Sequence, residues 1–277
     1  MLLRRLHAPL LACWLLLAAA PALDAAAGPV VTLRVAAQAG TDPKFIDAGD
    51  GRVIGVCIDI LRTIERIDPG LVFVGDQQWL PLVRAHAEVV NHQHDALCAI
   101  QRTPEREVQY NYIDLPLLPL RFHLLARADD PVVIHSWNDV RKLGANGVIL
   151  TNRGFGTTEA LERIGNLRFS ASAADPMNNL QKLVARRGRF FLHRGPGLKT
   201  FVQRSGYGAK VKILPQVMYQ TETYMAMGTH VDPAVTARVR RADPFHQPHV
   251  LVGDRAFGGR VGRQGVAGER GGKEQGE

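Results

Sequence analysis

The chain has 277 residues, 46% of them hydrophobic and 22% charged, with a formal net charge of +8. That length is enough for one large domain or two lobes. The basic residues are scattered, with no aromatic-interleaved stripe, which argues against nucleic acid as a partner. Three cysteines without a CxxC pair, and histidines without HxxxH spacing, argue against a metal centre.

Residues 1–7 are basic (Arg4, Arg5), 8–23 are almost wholly apolar, and Ala25, Ala26, Ala27 and Gly28 follow. This is the pattern of a cleaved signal peptide over 1–27, which predicts a secreted, periplasmic mature protein. The apolar run is shorter than the roughly 20 residues that cross a bilayer, and Pro21 breaks it. No later stretch could span a membrane, so the mature chain is expected to be soluble. Cys57 and Cys98 remain after the leader, in a compartment where a bridge is permitted. Each lies among apolar residues ("GVCIDI", "ALCAI"), which leaves both a disulfide and two buried thiols open.

Residues 31–36 read as a β-run, and 53–57 lead into a helix on which Ile58, Leu61, Ile64 and Ile67 recur at helical spacing until Pro69-Gly70. A strand follows at 71–74, a helix at 79–90 and a strand at 96–100. This alternation predicts a mostly parallel sheet. Ser136 and Asp139 form a capping box for a short helix ending at Gly144. A strand at 148–151 then leads to "NRGFGTTEALERI", a glycine-bearing loop feeding a helix. Asp175-Pro176 opens another helix, followed by a strand at 190–193 and a helix at 196–205. Two similar αβ units are thus joined by extended apolar segments at 118–128 and 211–227, which predicts a hinge and a cleft. Asp232-Pro233 opens a last helix to Ala242, and nine glycines between 253 and 276 mark a disordered or atypical tail over 243–277.

The stretch "DALCAIQRTPEREVQYNYID" at 95–114 puts two arginines around a Thr-Pro immediately after an apolar strand. The order Asp95-Ala96, strand, Thr103-Pro104-Glu105-Arg106, Tyr110 and Tyr112, then Asp114-Leu115-Pro116 resembles a signature of the extracytoplasmic solute-binding proteins of amino-acid-type ABC transporters. "GVCIDIL", "GFGTTEALER" and "RFFLHRGPGL" resemble further segments of that family, in the same order. The resemblance runs from about residue 31 to 242. It implies an α/β, two-lobed fold of the type 2 periplasmic-binding kind, each lobe a mostly parallel sheet flanked by helices, with two hinge connections. Lobe one would take 28–120 and 215–242, and lobe two 121–214.

The resemblance also implies a site. Arg106 would make a bidentate bond to a ligand carboxylate, a geometry suited to guanidinium, with the backbone of 99–101 and Gln101 beside it. A surface Arg106 paired with Glu105 or Glu107 is the competing arrangement. Lobe two would offer Gly154, Gly156, Thr157 and Thr158, because a glycine turn feeding a helix presents N–H groups and a positive dipole end to an anion. Gln38 and Trp79 are candidate wall residues. Two positions depart from the family. Gln101 stands where a threonine is usual, and Arg194 stands where an aspartate holds the ligand's ammonium group, which a guanidinium would repel.

The expected ligand is therefore a small carboxylate or dicarboxylate, or a solute whose ammonium finds another partner. The resemblance implies no cofactor and no metal. The partners it implies are the small-molecule ligand and an inner-membrane ABC permease, with the protein itself a monomer. A dehydratase or lytic-transglycosylase-like enzyme on the same scaffold and a periplasmic sensory receptor are the alternatives. Against catalysis, Glu159 and Glu222 are the only cleft carboxylates to test, and His193 reads as the end of a strand. Family members end with a further helix on lobe one, so the glycine-rich tail here suggests a shifted reading frame or a truncation.

Overall fold

Twelve residues with an apolar stripe form the first helix, α1 (Val56–Ile67), and its buried face is wider than the 3.6-residue pattern alone indicated. Cys57, Ile60, Leu61 and Ile64 are all fully buried, with Ile58 and Ile67 at the margins of the same cluster. Asp68 ends the helix and accepts two bonds from Arg238 of α8 (Pro233–Ala242), from Nε at 2.9 Å and from Nη2 at 2.8 Å. The computed structural model describes residues 29–246, so the signal peptide predicted at 1–27 and the part of the predicted tail from 247 onward lie outside the described residues. The four residues after α8 are described: Asp243 is buried and Phe245 packs on the lobe-one core.

The strands in chain order are β1 (Val31–Arg34), β2 (Ala37–Ala39), β3 (Ile46–Asp47), β4 (Val53–Ile54), β5 (Leu71–Val74), β6 (Trp79–Pro81), β7 (Ala96–Gln101), β8 (Tyr110–Tyr112), β9 (Leu118–Arg127), β10 (Ile149–Asn152), β11 (Phe169–Ala173), β12 (Phe190–Arg194) and β13 (Val211–Gly228). Between them lie α2 (Leu82–Val90), α3 (Pro104–Glu107), α4 (Trp137–Lys142), α5 (Thr157–Ile164), α6 (Pro176–Val184) and α7 (Leu198–Arg204). The capping box at Ser136 and Asp139 and the Asp175 cap of α6 form as their sequences predict. The predicted helix at 79–90 is corrected at its start. Residues 79–81 pair in parallel with β2, and Pro81 becomes the cap of a helix that begins at Leu82. The run predicted at 31–36 is shorter in the structure: β1 ends at Arg34 and pairs with β5, and a separate strand, β2, begins after the run at Ala37 and pairs with β6.

The two predicted hinge segments are β9 and β13, and their pairing makes the main sheet mixed rather than mostly parallel. The sheet runs β11-β10-β12-β9-β13-β7, with β8 also on β13. The β10 pairs are parallel, as βα alternation requires, while β9 and β13 lie antiparallel from Val211 opposite Arg127 to Thr223 opposite Leu118. The 18-residue β13 belongs to both halves. Its start pairs with β9, and its end pairs with β7 and β8.

The cores separate along the same line. One cluster gathers Leu33, Ile60, Leu71, Cys98 and Met225 from the first lobe. In the second lobe, strand alternation sends Phe190 and Leu192 of β12 to one face of the sheet and Phe191 to the other, so two clusters sandwich it. Cys57 of α1 and Cys98 of β7 form a disulfide with 5.9 Å between α-carbons, which settles the alternative left open by the sequence. No helix among the described residues is long and apolar enough to cross a membrane.

Candidate functional site

The Thr-Pro after β7 starts a single helical turn, and that turn aims Arg106 back toward the second lobe. Thr103 is extended (φ −132°), Pro104 takes the first helical position, and the Thr103 carbonyl accepts the amides of Arg106 and Glu107 at 2.9 and 3.1 Å. Arg106 is only 6% exposed. Its Nη2 donates to the Gly154 carbonyl at 2.9 Å and to Glu159 Oε1 at 3.3 Å, both in lobe two. Its Nη1 reaches the Gln101 carbonyl at 3.5 Å. The competing surface pairing is not formed, because Glu105 pairs with Arg163 and Glu107 with Arg102.

Arg194 makes the converse crossing. From the end of β12 its Nε donates to the Asp42 carbonyl at 3.0 Å, and its Nη2 donates to the carbonyls of Gly40 and Asp42 at 2.9 Å each. The two arginines therefore do not confront each other bare across the cleft. Each donates to a backbone carbonyl of the opposite lobe. Burial lowers the Arg194 pKa to about 10, against the opposing pull of Asp42.

Sequence reasoning missed Lys44, for which "TDPKF" gives no signal beyond one lysine in a loop. Its buried Nζ donates to Gln38 Oε1 at 2.5 Å and to the Ala99 carbonyl at 2.8 Å. Burial pushes this amine well below the usual lysine range, and the nearby charges of Arg194 and Arg106 push it further. Gln38, predicted as a wall residue, is fully buried as the support of Lys44 and bonds the Cys98 carbonyl at 3.0 Å.

The loop of lobe two packs against lobe one. Phe155 packs against the lobe-one cluster around Leu82, Ile100 and Tyr110, and the Arg194 guanidinium carbon lies 5.9 Å from its ring centroid. Gly156 caps α5 so close to lobe one that a β-carbon there would lie 3.0 Å from Gln101 Oε1. Thr157 is committed within its own lobe, sharing a 2.6 Å bond with Thr151. The Thr158 amide, expected to face an anion, already bonds the Phe155 carbonyl at 3.2 Å. Three polar atoms of this contact are buried without a partner: Gln101 Nε2, Thr158 Oγ1 and Glu159 Oε2.

Trp79 lies away from this cluster, 38% exposed at the mouth of the cleft. There it lines a cavity of about 390 Å3 with Asp42 and Asp47 of lobe one and Met177, Phe201 and Arg204 of lobe two. His193 lies within β12, as expected. Glu222 sits on hinge strand β13 opposite Pro119. Among the described residues no group of His, Cys, Asp or Glu could hold a metal ion.

No family model and no curated protein matches the chain. Solved structures do. A histidine kinase sensor domain with similarity to periplasmic binding proteins superposes with a TM-score of 0.68 at 15% identity, covering 85% of this chain and 96% of that one. The amino acid ABC transporter substrate-binding protein AbpA from Streptococcus pneumoniae, bound to L-arginine, gives 0.63 at 17% identity over 83% and 94%. The fold is that of the periplasmic solute-binding proteins. An ancestral amino-acid-binding protein, a precursor of cyclohexadienyl dehydratase, also matches, with 0.63 at 16% identity over 84% and 94%.

Proposed function

We propose that the protein is a periplasmic substrate-binding protein that captures a small carboxylate-bearing solute, anionic or amino-acid-like, and presents it to an inner-membrane ABC permease. The lobes divide at the hinge as 28–120 with 215–242, and 121–214. The observation that carries this reading is the charge at the lobe contact, where the guanidinium groups of Arg106 and Arg194 are buried and, among the described residues, Glu159 is the one carboxylate bonded to either. A buried excess of positive charge favours an anionic group between the lobes. Two hinge strands allow the lobes to part and admit it.

Thermal melting with mono- and dicarboxylates, amino acids and their carboxamide analogues tests the reading. A cognate ligand at 100 times its Kd adds about 2.7 kcal/mol of stability, and small-angle scattering should show a smaller radius of gyration with it. Equal shifts with the carboxamides, or none with any carboxylate, would overturn the proposal. Turnover of the solute would favour an enzyme instead, although one of the two carboxylates to be tested, Glu159, is already bonded to Arg106.

A further inference from the structure

A cavity of about 450 Å3 opens on lobe two, lined by Arg127, Arg186, Arg187 and Arg189 together with Asp129 and Asp130. The strands fix its position. β10 and β12 run parallel, and the lining residues Val148 and Arg189 precede them in the chain. Gly154 and Arg194, which bond lobe one, stand at or beyond the other ends of the same strands. From Arg189 to Arg194 the extended chain covers about 17 Å, at about 3.3 Å per residue. The cavity therefore lies at the pole of lobe two opposite the cleft.

Two carboxylates here serve four guanidinium groups. Asp130, its side chain 2% exposed, accepts Nε and Nη2 of Arg189 at 2.9 and 3.0 Å and the Val132 amide at 3.1 Å. Asp129 accepts Nη2 of Arg186 at 2.6 Å. Arg127 is left without a carboxylate of its own. Its side chain is 14% exposed and its Nη1 donates to the carbonyls of Gly188 and Leu183, but its Nε is buried with no hydrogen-bond partner. Asp130 and Asp129 stand 3.5 and 3.7 Å from its Nη2 and Nε, each already bonded to another arginine. The Arg187 side chain has no partner among the described residues. Lys212 adds a further positive charge by donating to the Asp130 carbonyl.

Cations that lose water in excess of their counterions repel one another, and an anion between them offsets both costs. A phosphate dianion suits this set, because its oxygens accept paired bonds from more than one guanidinium at once. The cavity is larger than a bare ion needs and falls within the roughly 300–1,000 Å3 of small-molecule sites. Pro131, Ala145 and Val148 give it an apolar wall for an organic remainder. We propose that this pole of lobe two is a binding site for a phosphate monoester, with Arg127 and Arg187 holding the phosphate. Asp130 positions Arg189 beside it. The site is separate from the cleft and stands whether or not the reading of the cleft does. The monoester is either a free solute or a lipid headgroup, which present the same group to the arginines.

Titration calorimetry on the mature protein at constant ionic strength tests this with inorganic phosphate, glycerol 3-phosphate and acetate. Sedimentation with phosphatidylcholine vesicles, with and without phosphatidic acid, tests the lipid source. Glycerol 3-phosphate or the phosphatidic acid vesicles should bind saturably, and acetate should not. Arg187→Ala changes an exposed side chain without a partner, so the variant should fold as the wild type does. It should weaken binding about tenfold, the worth of one charge-assisted bond. Arg106→Ala, at the cleft, should leave phosphate binding unchanged. Soluble ester binding assigns the site to a free solute, and vesicle binding alone assigns it to a headgroup, provided that Arg187→Ala weakens either. No saturable binding of any phosphate probe overturns the proposal, as does binding that Arg187→Ala leaves intact. Equal affinity for acetate would reduce the site to unspecific charge attraction, and loss of binding in Arg106→Ala would move the phosphate to the cleft, so either result also overturns it.

Discussion

Gly154 has φ +83°, and a methyl group on it would lie 2.5 Å from Val83 Cγ2 of lobe one. An alanine there meets two separate penalties. The left-handed backbone costs about 1–2 kcal/mol whether the lobes are together or apart, whereas the clash with Val83 exists only when they meet. Gly154→Ala should therefore lower stability by about 1 kcal/mol in urea melts while leaving the radius of gyration large at saturating solute. A variant that contracts like the wild type would show that the loop does not enter lobe one. Arg194→Met should act in the same direction, since it removes the bonds that hold Gly40 and Asp42. Once the lobes part, water can satisfy those carbonyls, so scattering should report a more open average shape with little change in lobe stability. The resemblance to the solute-binding proteins implied a cleft position for Arg106 and Arg194. Their partners lie 48 and 152 positions away in the chain and could not be read from it.

At the scale of elements, the bond between Cys57 and Cys98 pins α1 to β7, the strand whose carbonyls hold Gln38 and Lys44. It closes a loop with a sequence separation of 41. A loop of that length removes chain entropy worth about 4 kcal/mol from the unfolded state. Replacing both cysteines with serine should reduce the unfolding free energy by roughly that amount, and native wild-type protein should present no titratable thiol from this pair. A free thiol in the native oxidised protein would contradict the bridge. Helices with caps and an apolar stripe were legible, as α1, α4 and α6 show. Trp79–Pro81 was not, because three residues carry no period, and only the open edge of β2 makes them a strand.

At the scale of the whole molecule, burial of titrating groups sets the pH range of the fold. Desolvation lowers His86 to about 3, with Arg106 and Lys44 adding to it, and lowers His193 to about 3, with Arg194 adding. Both folded values lie below the unfolded value of about 6.5. Their contribution to stability is thus full above that pH and is lost as pH falls, by up to about 1.4 kcal/mol per unit for each histidine. Asp243 opposes them, since burial raises it to about 6 and its contribution is lost as pH rises through that value. Two histidines outweigh one aspartate between pH 6 and 4, so urea midpoints should fall from pH 7 to pH 5. A midpoint that rises on acidification would mean that the histidines are solvated in the folded state.

The sequence by itself determined most of the longer helices and strands, the two extended connections and the arginine that follows β7, because periodicity, caps and proline act within a few residues. Tertiary structure alone decided that β9 and β13 pair with each other and make the sheet mixed. It also decided that the two cysteines meet, that Lys44 is buried on Gln38 and Ala99, and that Arg106 and Arg194 each grip the opposite lobe. These are meetings of residues far apart in the chain, fixed by which groups lose water together when the lobes pack, and no local pattern encodes them.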